Sequence, residues 1–169
     1  AVLGVANFND LSVEKSGTGY TLAASATGLT GATSSAFNVS AGAANKLAFS
    51  VQPGNAGAGA ALSGPPTIVV QDGFGNTVTS STASITAAIA SNPGGGVLTG
   101  TTTRNASSGV AVFTDLSIAQ LATGYTLSAA SSGLTSATSS AFNITAASVT
   151  LSATPASVSA GDSFMVAWG

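Results

Sequence analysis

No catalytic triad can be assembled from this chain, because histidine and cysteine are both absent from its 169 residues. That removes Ser-His and Cys-His pairs, thiolate nucleophiles and most transition-metal ligand sets together. Two carboxylates could still divide acid and base work, as they do in glycoside hydrolysis. The available ones do not converge. Asp10 and Asp115 hold equivalent places in two copies of a repeat, Asp72 lies among turn glycines, and Asp162 stands in a separate segment. Asp72-Gly-Phe-Gly-Asn76 has oxygens at both ends, as a calcium loop would. One carboxylate and one amide are too few for a cation that takes about six to eight oxygens. Asp and Asn around glycines are ordinary turn formers, and the turn reading is preferred. No catalytic, cofactor-binding or metal-binding residue is expected, and the chain is read as a non-enzyme.

Two modification chemistries need weighing. A lysine–asparagine isopeptide would join strands carrying Lys46 and Asn143. Both residues alternate against apolar neighbours (Leu47 and Phe49; Phe142 and Ile144), so both are expected to face solvent. Three Asn-x-Ser/Thr sequons begin at Asn38, Asn105 and Asn143. In a chain this rich in Ser and Thr, chance matches are expected, with glycosylation as the competing reading.

The elements that position these residues are strands. Only 5% of residues are charged and the net charge is −2, so no basic stripe suited to phosphate exists. Mean hydropathy is +0.47. Ser, Thr and Gly nevertheless interrupt every apolar cluster before a membrane-spanning length of about 18 residues is reached. No charged segment leading into an apolar one opens the chain, so a secretion signal is expected outside it. Helical periodicity is missing, and period-2 alternation recurs between Gly, Pro, Asn and Ser. Leu47, Phe49 and Val51 form one stripe; Ile68 and Val70, then Ile85, Ala87 and Ile89, form others. Leu98, the pair Tyr125 and Leu127, and the pair Phe142 and Ile144 follow. About seven strands in roughly 100 residues predict an antiparallel β-sandwich.

The strongest pattern is an internal repeat. Residues 4–41 return as residues 109–146 without a gap, with 24 of 38 positions identical. Ala111 and Phe113 share one parity, whereas Leu116 and Ile118 share the other. A β-bulge near Thr114-Asp115 would keep all four buried, with the Asp carboxylate accepting a backbone N–H that the bulge frees. Asp10 is the equivalent residue. Gly19-Tyr20 and Gly124-Tyr125 fit tyrosine corners, with the ring at the core edge and the hydroxyl on a backbone group. Three segments follow: residues 1–42 as closing strands of a first module, 43–146 as a complete module, and 147–169 as opening strands of a third, divergent one. In the last, Trp168 alternates with Phe164 and Val166 and reads as core.

Val69-Val70-Gln71-Asp72-Gly73-Phe74-Gly75-Asn76-Thr77-Val78, Gly109-Val110-Ala111-Val112-Phe113 and Gly124-Tyr125-Thr126-Leu127-Ser128-Ala129 carry a family resemblance. The central module resembles the bacterial immunoglobulin-like repeats of invasin- and intimin-like adhesins and other large surface proteins. The resemblance covers residues 45–146 well and 4–42 in part. It implies tandem immunoglobulin-like sandwiches on a secreted or cell-surface protein; the low charge and alanine richness depart from the pattern.

The expected function is structural: a stalk, fibre or filament module whose partners are neighbouring modules or copies of itself, meeting through edge strands. Half-modules at the two ends could complement one another between copies, although a window on a longer polypeptide explains them more simply. The competing reading is an adhesin or carbohydrate-binding module, with glycans as partners. It requires an exposed aromatic platform.

Overall fold

In a computed structural model, residues 3–146 are described. The expectations for residues 147–169, including Asp162, Trp168 and end-to-end complementation, lie outside them. The described residues are all-β and contain no helix.

The first copy of the repeat forms two short antiparallel pairs. β1 (Gly17–Tyr20) pairs with β4 (Phe37–Val39), and β2 (Ala23–Ala24) with β3 (Ala32–Thr33). After a linker, Ala41-Gly42-Ala43-Ala44-Asn45, the chain builds two larger sheets. In one, β5 (Lys46–Val51), β7 (Thr67–Gln71) and β11 (Val110–Val112) lie in the order β11-β7-β5. The other contains β6 (Ala56–Gly57), β8 (Ser84–Ser91), β10 (Thr103–Asn105), β13 (Ala122–Ala130) and β15 (Phe142–Thr145), ordered β10-β8-β13-β15-β6. β14 (Ala137–Thr138) adds to β13, and β9 (Leu98–Thr99) pairs separately with β12 (Ser117–Ile118).

The alternation seen in the sequence decides which side chains meet. Ile85 and Ala87 of β8 and Tyr125, Leu127 and Ala129 of β13 point inward from the larger sheet. Leu47, Ile68, Val70 and Ala111 face them from the three-stranded sheet. These residues form one cluster with Phe113, Leu116, Ile118, Phe142 and Ile144, consistent with a β-sandwich. Each large side chain so buried contributes roughly 1.5–3 kcal/mol. Every buried apolar residue of the cluster falls between Leu47 and Ile144, with partly buried Ala41 packed against it.

Two details differ from the expected pattern. One pairing is parallel, between β6 and β15, with Ile144 opposite Ala56. β5 ends before Pro53, which has no N–H to continue the ladder, and a turn closed by Gly54 N–H to Ser63 C=O (2.7 Å) redirects the chain. The parity change at Thr114-Asp115 is a strand break rather than a bulge. β11 stops at Val112 in one sheet and β12 starts at Ser117 against β9, so the residues between change partners as well as phase. Ala111, Phe113, Leu116 and Ile118 are all buried as the parity argument requires.

Candidate functional site

The described residues contain no group of three His, Cys, Asp or Glu able to hold a metal ion. The most organised polar constellation is the hairpin between β7 and Val78. Its turn is closed by Asp72 N–H to Asn76 C=O (3.0 Å) and Gly75 N–H to Asp72 C=O (3.2 Å). Gly75 takes a φ of +86°, a conformation that side-chain-bearing residues rarely adopt. The Asp72 Oδ1 accepts the N–H groups of Phe74 (3.0 Å) and Asn76 (2.8 Å), so the carboxylate organises the turn from inside. Turn chemistry accounts for half of this motif.

The other half is a junction. Asn76 Nδ2 donates to Asp72 Oδ2 at 2.9 Å and to Glu14 C=O at 2.7 Å, while Asn76 Oδ1 accepts Ser16 N–H at 2.9 Å. A single primary amide therefore satisfies both backbone groups flanking Lys15, which lie 60 and 62 residues away in sequence. Asp72 Oδ2 also accepts Gly42 N–H from the linker at 2.8 Å. Asp72 and Asn76 are only 1% and 2% exposed, which is unusual for such groups unless every bond is made. The Asn76 amide, followed by the linker and turn N–H groups, holds the Asp72 carboxyl down at about 2 despite its burial.

The loop that Asn76 grips is braced by a tyrosine. Tyr20 Oη donates to Lys15 C=O at 3.0 Å, so three consecutive residues are held from two sides. Tyr125 does the same one repeat later, donating to Gln120 C=O at 3.0 Å. The rest of the local network also recurs. Asn38 Oδ1 accepts Gly19 N–H at 3.1 Å, and Asn143 Oδ1 accepts Gly124 N–H at 3.0 Å. Ser34 Oγ and Ser139 Oγ accept the N–H groups of Leu22 and Leu127, each at 2.9 Å. Both tyrosine-corner expectations hold at the level of these bonds.

Other sequence candidates have quieter roles. Asn38 and Asn143, singled out as sequons, accept N–H groups from Gly19 of β1 and Gly124 of β13, while Asn105 is exposed on β10. With its oxygen committed to Gly124, Asn143 makes no bond to Lys46, which sits opposite Gln71. Asp115 corrects the bulge expectation. Its Oδ2 accepts the N–H (3.0 Å) and hydroxyl (2.6 Å) of Thr101, and Arg104 lies 3.4 Å from Oδ1. The Thr101 hydroxyl is the main cause of its lowered pKa. The freed N–H it satisfies thus belongs to the β9–β10 connection, where a Cβ at position 100 would clash with the Asp115 backbone. Asp10 makes no side-chain hydrogen bond among the described residues.

What the residues alone did not reveal is the Asn76 contact. Its partners Glu14 and Ser16 use backbone atoms, which leave no side-chain signature. The serine caps had a signal in the unbroken identity of Ser34 with Ser139, and it concerned the repeat's own turns.

The first copy also exposes a broad apolar face. Phe8, Leu11, Leu22 and Phe37 are 66%, 63%, 48% and 36% exposed. Phe8, Leu11, Leu22, Ala24 and Ala32 line an open groove of about 580 Å³. Their counterparts Phe113, Leu116, Leu127, Ala129 and Phe142 belong to the core of residues 43–146. No protein-family model matches the chain, and neither does any curated protein.

Proposed function

We propose that this chain is a structural, non-catalytic part of a long secreted or cell-surface repeat protein, a stalk, fibre or filament built of tandem immunoglobulin-like sandwiches. The observation that carries this reading is the Asn76 junction. A residue of one repeat unit gives its side-chain oxygen and one of its amide N–H groups to the backbone of another, and its neighbour Asp72 ties down the linker between them. Such a junction sets a fixed angle between units, which a spacer or fibre needs and a catalyst does not. The 5% charge supports the same reading, since small hydroxylated side chains let surfaces approach closely.

On this reading the face of Phe8, Leu11, Leu22 and Phe37 is the inner face of another sandwich. Strands equivalent to β5 and β7 lie opposite it and one equivalent to β8 extends its sheet, as those strands do for the second copy. Copies or neighbouring modules are the partners, with sheet edges such as β10 as further contact surfaces. Negative-stain microscopy of the parent material tests the proposal. Uniform rods or fibres with a regular axial repeat are expected. Dispersed globular particles whose surfaces retain glycans in a binding assay would replace it with the adhesin reading.

A further inference from the structure

Asn76 recognises no side chain in residues 14–16. It takes a C=O and an N–H two residues apart, at 2.7 and 2.9 Å, on either side of a carbonyl held by the Tyr20 hydroxyl. Any loop that presents the same backbone pair around a tyrosine-braced carbonyl offers the same site. The chain contains a second one. Ala119, Gln120 and Leu121 stand 105 positions after Glu14, Lys15 and Ser16. Gln120 C=O is held by Tyr125 at 3.0 Å, the same length as the Tyr20 bond, and Asn143 repeats the Asn38 bond to within a tenth of an ångström.

The three substitutions Glu14/Ala119, Lys15/Gln120 and Ser16/Leu121 change only atoms that the clamp does not use. Among the described residues, neither Ala119 C=O nor Leu121 N–H is hydrogen bonded. An apolar rim lies beside the pair. Leu121 is 51% exposed, and the Gly94–Gly96 loop packed on residues 120–122 leads to Val97, 73% exposed. The hairpin carries a matching exposed aromatic, Phe74, two residues before Asn76.

We propose that the backbone pair Ala119 C=O and Leu121 N–H is a docking site for a second Asp-x-x-x-Asn hairpin, carried by a neighbouring unit of the type formed by residues 42–146. This inference rests on the stacked-repeat reading above. The recognising chemistry is a primary amide pre-oriented by a carboxylate four residues earlier. A lone asparagine would lose that orientation, because Asp72 holds both the backbone N–H and the Nδ2 of Asn76.

The test is to duplicate residues 42–146 within the chain, so that 1–146 is followed directly by 42–169, and to follow amide hydrogen exchange. Exchange at Leu121 of the first unit should slow about ten-fold or more relative to the parent chain, one hydrogen bond being enough for that. Asn76→Ala in the inserted unit alone should return Leu121 to the parent rate. The Val70 amide of that unit, bonded to Gly109, reports independently that it is folded. Unchanged Leu121 exchange with Val70 and Ser16 protected would overturn the docking site and leave the existing junction standing. Rapid exchange at Ser16 in the parent chain would instead remove the junction on which the stacked-repeat reading rests.

Discussion

Residues 4–41 and 109–146 are the same local structure in opposite surroundings. Their tyrosine–phenylalanine pairs have ring centroids 6.0 Å apart in both, with interplanar angles of 30° and 27°. Their hydroxyl, amide and serine bonds agree to within a tenth of an ångström. Their burial does not agree: Phe8 is 66% exposed and Phe113 only 1%. Short-range hydrogen bonds therefore need no core to take their geometry. Burial is conferred by strands from outside the repeat, which the second copy receives as β5 and β7 in the opposing sheet and β8 alongside β13.

The sharpest way to break this symmetry is a matched pair of deletions. Phe113→Ala should cost about 3–5 kcal/mol in denaturant unfolding of the sandwich, the usual range for a buried phenylalanine. Phe8→Ala should stay within about 0.5 kcal/mol, as exposed substitutions do. Equal effects would mean that the first copy is covered in solution.

Next in size is the junction. Asn76→Ala leaves Ser16 N–H and Glu14 C=O without their partner and removes the amide that does most to lower the Asp72 pKa. A loss of about 1–3 kcal/mol is expected, together with faster amide exchange at Ser16. Unaltered Ser16 exchange would show that the two units do not depend on this amide.

Removing one hydroxyl from each corner gives a finer comparison. Tyr125→Phe should cost about 0.5–1.5 kcal/mol, because Gln120 C=O loses a bond at the edge of a packed core. Tyr20→Phe should cost less, since water reaches Lys15 C=O directly. A larger loss at Tyr20 would indicate that the junction relies on the brace more than the core does.

The smallest expected effect separates junction from repeat by pH. Asp72 has its pKa depressed to about 2, so its contribution is present above the ordinary carboxylate value of about 4 and fades as pH falls toward 2. The tyrosine, asparagine and serine bonds of both copies are neutral over that range. Acid titration followed by exchange should therefore loosen Gly42 and Ser16 before Leu22 or Leu127. Simultaneous loosening of all four would assign the acid effect elsewhere.

Much of the fold was legible from alternation. Ile85 and Ala87, or Leu127 and Ala129, have no other way to share a face than a strand. The tyrosine corners were legible because Gly-Tyr recurred in register with a complete repeat. The Asp115 partner was not, since Thr101 lies 14 residues away across a connection that periodicity does not place. The parallel β6–β15 pair was hidden by length: Ala56–Gly57 is too short to show an alternating pattern.

The chain's own residues determined the all-β character, the repeat, the inward stripes and the lack of histidine or thiol chemistry, because these follow from side-chain type and period. Tertiary structure alone decided that Phe113 is core while Phe8 is surface, and that Asn76 reaches Glu14 and Ser16. Burial depends on which strands lie opposite. Asn76 binds main-chain atoms, which every residue carries, so only the folded path of the backbone could bring that C=O and N–H within reach of one amide.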